Sequence, residues 1–196
     1  MNRKILAGVA AIIVISVLGA FYLYSTGGSQ TMKEGFENGL GEWVADADVP
    51  FNPEDPTRLV EWNITRSTDV ASSGKYSLKL FIDGRQDDGT IWVERKIPVR
   101  KNARVNVSLS FNFYSGQESF NTIAAVCAYA GVRNPEYEDD FSVVGNANEV
   151  EGWKRYGLTA DVDTGSSGEM WVALGISVRW ETYMTYYVDD VEIEVR

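Results

Sequence analysis

From Lys75 to the C-terminus, apolar and polar residues alternate with period two, and turn residues interrupt the pattern at intervals. Such alternation predicts strands half-buried in a sheet. Leu78, Leu80 and Ile82 share one face before the turn at Asp83-Gly84. Ile91, Val93, Ile97 and Val99 share another, opposite Trp92, Glu94 and Lys96. Val105, Val107, Leu109, Phe111 and Phe113 form the cleanest run, and Thr122 to Val132 is apolar enough for a central strand. The series continues with Tyr156, Leu158, Ala160 and Val162, then with Val172 to Trp180, and closes with Tyr187 to Val195. No stretch beyond Tyr24 keeps a helical period over three turns. Roughly seven to nine strands at this spacing predict an all-β, two-sheet antiparallel sandwich of the jelly-roll kind.

The first 24 residues follow another rule. A basic head at Arg3 and Lys4 precedes Ile5 to Tyr24, a run without charge. About 20 apolar residues suffice for a transmembrane helix, whereas the apolar region of a cleaved signal is usually about 7–15. The run ends in Phe21-Tyr22-Leu23-Tyr24, whose rings suit a membrane interface better than a cleavage site. Residues 1–24 are therefore expected to be an uncleaved signal-anchor, with a cleaved signal as the alternative. The basic head stays inside, so the rest of the chain lies outside the cytoplasm. Residues 25–34 open with a Gly-rich polar stretch and are expected to form a flexible linker. The folded domain is expected over residues 35–196. Within it, the Pro-rich segment Pro50 to Pro56 and the acidic stretch Asn134 to Asn148 read as long loops.

Composition narrows the chemistry. The chain of 196 residues contains no histidine and a single cysteine, Cys127. That excludes histidine-dependent nucleophiles, His-containing zinc sites and an intramolecular disulfide. Eighteen basic residues face 28 acidic ones, a formal net charge of −10. So acidic a surface repels phosphate backbones, and nucleic acid is not an expected partner. Glu149 and Glu151 share a parity that a two-carboxylate glycosidase would need, but they sit beside an acidic loop, where solvated charge is the ordinary explanation. Cys127 lies in an apolar run and reads as a buried structural thiol. Asn63-Ile64-Thr65 and Asn106-Val107-Ser108 match the N-glycosylation pattern.

Three motifs, in order, resemble one family. Gly35-Phe36-Glu37-Asn38-Gly39 to Trp43 is similar to the opening of galactose-binding-like β-sandwich domains, including carbohydrate-binding modules. Ser73-Gly74-Lys75-Tyr76-Ser77-Leu78-Lys79-Leu80 resembles that family's entry into an early strand. Tyr186-Tyr187-Val188-Asp189-Asp190-Val191 resembles its closing strand. The resemblance covers about residues 35–196 and implies binding rather than turnover. It also implies a structural calcium, with carboxylates from Glu37, Asp189 and Asp190 and backbone oxygens near Gly74 and Lys75. Asp189 shares its parity with Val191, Ile193 and Val195, so it is expected to point toward the core, where a carboxylate needs a cation or several donors. The alternative is that Asp189 caps backbone amides.

Rings and donors on the polar strand faces suit a sugar, because rings stack on its C–H face and side chains take its hydroxyls. Trp92, Trp153 and Trp171, with Arg179 and Tyr114, are the expected ligand residues; Trp43 and Trp180 are expected in the core. Half-exposed rings are also ordinary cross-strand partners in sheets. The sequence thus points to a non-catalytic, membrane-anchored extracytoplasmic domain that binds glycan. The alternative is a cell-surface domain that binds protein within an envelope complex.

Overall fold

The computed structural model describes residues 29–196. The expected anchor helix and residues 25–28 of the expected linker lie outside that range. Among the described residues, no helix is long and apolar enough to cross a membrane. They form thirteen strands: β1 (Gln30–Glu34), β2 (Val44–Asp48), β3 (Phe51–Asn52), β4 (Asp55–Leu59), β5 (Trp62–Ser67), β6 (Ser77–Asp83), β7 (Thr90–Pro98), β8 (Arg104–Ser115), β9 (Ala124–Gly131), β10 (Ser142–Asn146), β11 (Gly152–Asp163), β12 (Glu169–Val178) and β13 (Tyr183–Val195). One short 3-10 turn, Glu138–Asp140, interrupts them.

Two antiparallel sheets face each other. Sheet A runs β11-β8-β13-β6-β5, with β1 beside the C-terminal half of β13. Sheet B runs β10-β9-β12-β7-β2, and β3–β4 form a separate hairpin. The alternation sends Leu78, Leu80, Ile82, Leu109, Phe111 and Phe113 of sheet A against Ile91, Val93, Val126, Val172, Leu174 and Ile176 of sheet B. All twelve are buried in one core. Each such side chain stabilises the fold by about 1.5–3 kcal/mol relative to exposure. The two-sheet sandwich expected from the sequence is the architecture observed.

Several expectations change. The segment expected as linker up to residue 34 becomes strand at Gln30, where β1 pairs with β13 from Gln30–Val195 to Glu34–Val191. The Pro50–Pro56 loop contains a hairpin outside both sheets, with Pro53 at its turn. The expected loop from Asn134 to Asn148 contains β10, which pairs with β9 through backbone bonds that the loop's polar composition did not signal. Trp43 is in the core, but Trp180 is 55% exposed. Strand β12 ends at Val178, and the chain turns toward β13 there, so the parity that placed Trp180 inward no longer applies.

A bulge in β13 corrects the reading of Asp189. The register against β8 shifts between Asp189 and Glu192, and Asp190 adopts a left-handed φ of 49°. One extra residue reverses the side-chain parity. Tyr186 and Val188 face the core before the bulge, and Val191, Ile193 and Val195 face it afterwards. Asp189 therefore lies on the outer face of sheet A, opposite Asn112, and the β5–β6 loop buries it there.

Candidate ligand-binding site

The outer face of sheet A is polar and carries one aromatic row. Trp153 on β11 stands opposite Tyr114 on β8, and Tyr114 stands opposite Tyr187 on β13. Trp153 and Tyr114 have centroids 5.3 Å apart and Tyr114 and Tyr187 5.9 Å apart, with interplanar angles of 58° and 75°. Lys79 on β6 is the next residue in register; its Nζ lies 2.8 Å from Asp69, whose carboxylate also accepts from the Tyr187 hydroxyl. All three rings are half-buried. One rung along, Arg155 donates to Ser110 Oγ at 2.7 Å and pairs with Glu192 at 3.3 Å, while Asn112 donates to Ser72. Rings flanked by fixed donors and acceptors meet the two requirements of a sugar site.

The expected ligand residues do not converge. Trp153 and Tyr114 meet on sheet A, whereas Trp92 and Trp171 belong to sheet B and Arg179 directly follows its strand β12. Trp92 is on the outward parity of β7, yet it is completely buried, which corrects its assignment to an open platform. The connection between β9 and β10 lies across this face. Phe141 packs on Trp92 with centroids 5.0 Å apart and on Tyr129 at 6.1 Å. Glu138 pairs with Arg179 at 2.8 Å, accepts from Thr90 Oγ1, and donates its amide to Asp48 at 3.0 Å. This strap thus reaches from β12 to β2, and Arg179 anchors it.

Beneath the strap, Trp92 Nε1 donates to Glu94 Oε2 at 2.8 Å. Burial pushes the Glu94 carboxyl above its ordinary value despite this donor, and Asp46 and Glu136 add repulsion. Trp171 stays half-exposed at the start of β12, with Lys96 Nζ 5.9 Å from its ring centre. Cys127 is buried on the same face, and desolvation raises its thiol far above the range of a nucleophile. Glu149 is paired with Lys154.

The residues expected around a calcium ion gather at the β5–β6 loop. Asp189 Oδ2 accepts the amides of Ser72 and Ser73 at 2.8 and 3.0 Å, and its Oδ1 accepts that of Asp190 at 2.7 Å. Burial still raises its pKa, the amides offsetting only part of the desolvation. Glu37 Oε1 accepts the amides of Lys75 and Tyr76 at 2.8 and 3.0 Å, which hold its carboxyl below the ordinary value. Asp190 accepts from Ser73 and Asn112. Calcium takes about six to eight oxygens. Among the described residues, no three acidic side chains gather as a metal cluster. Glu37 Oε2 is the one oxygen of these three carboxylates that accepts no hydrogen bond, so an ion here needs main-chain carbonyls as well.

Tyr187 is the member of the aromatic row that the ligand expectation omitted, whereas Glu94, expected on the same face as Trp92, is buried with it under the strap. Tyr187 had a legible signal, since it alternates with Tyr186 in the closing strand and one of the pair must face outward.

No family model matches this chain, and no curated protein matches it. Solved structures do. A carbohydrate-binding module described for promiscuous specificity within the β-sandwich superfamily is 18% identical, with a TM-score of 0.54; the match covers 80% of this chain and 59% of that one. The module TmCBM61, solved with β-1,4-galactotriose, is 12% identical with a TM-score of 0.50, covering 81% and 92%. The chain has the jelly-roll β-sandwich fold of carbohydrate-binding modules, as the three sequence motifs led one to expect.

Proposed function

We propose that this chain is a non-catalytic glycan-binding domain whose sugar lies along the Trp153–Tyr114–Tyr187 row. The observation that carries the reading is that row: three half-exposed rings in direct register on a polar sheet face, with Arg155, Asn112, Lys79 and Asp69 beside them. The shared fold and the galactotriose bound by TmCBM61 support the substrate class. Absence of histidine and the pairing of Glu149 with Lys154 support binding without turnover. Residues 5–24 would hold the domain at the outer face of a membrane. A calcium ion, if bound, would be held by Glu37, Asp189 and main-chain oxygens around Lys75, and would fix the β5–β6 loop beside the row.

The test is isothermal titration of the protein with β-1,4-galactotriose and a panel of other oligosaccharides, repeated with Trp153→Ala and Tyr187→Ala. Both variants should melt near the wild-type temperature and lose most of the affinity, because a few rings dominate such binding. Undiminished binding in both variants moves the sugar elsewhere. If no glycan binds the wild type, the reading fails.

A further inference from the structure

Five connections cross between the sheets at one end of the sandwich: residues 49–61, 84–89, 116–123, 147–151 and 179–182. They stand shoulder to shoulder. Gly84 N donates to Thr182 O at 3.0 Å, Val178 N to Gly89 O at 2.9 Å, Arg179 N to Ile123 O at 3.0 Å, and Ser119 N to Asn148 O at 2.9 Å. Ten large hydrophobic residues of the described chain are exposed, and six belong to this end: Phe51, Leu59, Phe120, Val150, Trp180 and Tyr183. Phe120 is fully exposed, and Phe51, Trp180 and Tyr183 are each more than half exposed. Such a concentration on loops held by a rigid base marks an interaction surface, since apolar residues at random would be scattered over both ends.

Charge decides what fits it. The same five connections carry nine carboxylates against three guanidinium groups. Two of the three are already occupied, Arg85 by Asp83 and Arg179 by Glu138, each at 2.8 Å. Aromatic tips inside an acidic field have the anatomy of a protein interface with a charged rim. A second copy would bring the same negative field against itself. Anionic lipid would be repelled likewise, and this end lies away from Gln30, the residue through which the preceding chain enters the sandwich beside Val195. We propose that this end docks a partner protein through a basic segment whose lysines or arginines alternate with large apolar side chains. The aromatic row borders this end, with Tyr114 and Trp153 two residues inside the 116–123 and 147–151 connections. It lies on the outer face of sheet A and shares no residue with them, so this inference does not depend on glycan binding.

The experiment uses the full-length protein and a fluorescent synthetic peptide of alternating lysine and leucine, followed by anisotropy, with an alternating glutamate–leucine peptide as control. The lysine peptide should bind, the glutamate peptide should not, and added salt should weaken the complex. The double substitution Phe120→Ser/Trp180→Ser should weaken binding at least tenfold without lowering the melting temperature, since neither ring is in the core. Trp153→Ala should leave it unchanged. Equal binding by the double variant, or no binding by wild type, overturns the proposal. So does a different result for the same variant: loss of self-association in sedimentation, or loss of binding to phosphatidylcholine vesicles, would assign the end to a second copy or to lipid.

Discussion

Phe141 lies over Trp92 at 5.0 Å between ring centres, tilted by 53°, and thereby closes the outer face of sheet B with a residue from the strap between β9 and β10. The indole is buried by the chain's own loop rather than by the sandwich core. Removing the phenyl ring should therefore uncover Trp92 while leaving the core intact. Replacing a fully buried Phe by Ala costs about 3–5 kcal/mol; for the half-buried Phe141, the expected loss is smaller. Phe141→Ala should lower the melting temperature and increase acrylamide quenching of tryptophan fluorescence. Unchanged quenching would show that the strap stays down without Phe141.

Glu94 under that strap should make stability rise on mild acidification. Its folded pKa lies above its ordinary value of 4.5, because burial penalises the anion more than the Trp92 indole supports it. A raised folded pKa contributes stability that is complete below the unfolded pKa and is lost as pH rises through the folded one. Glu94→Gln keeps an acceptor for Trp92 Nε1 and removes the charge. The variant should melt higher than wild type at pH 7, with the gap closing toward pH 4.5. A gap of constant size would trace the change to packing, and a lower melting temperature at pH 7 would contradict the argument.

Asp189 and Glu37 together accept five backbone amides of the β5–β6 loop and the bulge. If calcium completes this clasp, a metal bound only by the folded state adds about 2.7 kcal/mol at a hundredfold excess over its Kd. A chelator should then lower the wild-type melting temperature, and Glu37→Gln should reduce the effect. Coincident melting curves with and without chelator would leave the amides as the sole partners of the carboxylates. Each amide stranded by removing an acceptor costs roughly 1–3 kcal/mol, so Asp189→Ala should destabilise the fold with or without metal.

Apart from β10, the strands from β6 onward were legible because one face of each is core; β10 falls inside the stretch expected as a loop from Asn134 to Asn148, and none of its side chains is fully buried. β1, β2 and β5 escaped for a physical reason: Gln-Thr-Met-Lys-Glu, Val-Ala-Asp-Ala-Asp and Trp-Asn-Ile-Thr-Arg-Ser hold few apolar residues. β2 and β5 are sheet edges, and β1 is short and covers only half of β13. Trp92 was placed on the correct parity, but parity does not tell what lies over a face. The strap that covers it is fixed by contacts of Glu138 with Arg179, Thr90 and Asp48, all distant in sequence. Asp189 was misplaced because a bulge changes parity without changing composition. The three tryptophans were chosen one by one, and only strand order shows that Trp153 shares a sheet with Tyr114 while Trp92 and Trp171 do not.

Asn148 is a buried side chain that the local pattern did not single out, and it organises the apolar end. Its Oδ1 accepts from Tyr186 Oη at 2.6 Å, its Nδ2 donates to Ser115 Oγ at 2.9 Å and Gln117 O at 3.1 Å, and its carbonyl accepts the Ser119 amide. Residues 116–123 are thus tied to residues 147–151 and to β13 through one residue, by its side-chain amide and its backbone carbonyl. Tyr186→Phe removes only the hydroxyl and leaves Asn148 Oδ1 without its donor. A buried acceptor stranded in this way costs about 1–3 kcal/mol. Asn148→Ala strands Tyr186 Oη and loosens both loops, so it should cost more than Tyr186→Phe and speed amide exchange at Ser119. If the lysine–leucine peptide docks on tips held in place by this network, Asn148→Ala should weaken that binding as well, although Asn148 is buried. Normal exchange at Ser119 together with full peptide binding would show that the loops are held by their backbone bonds alone.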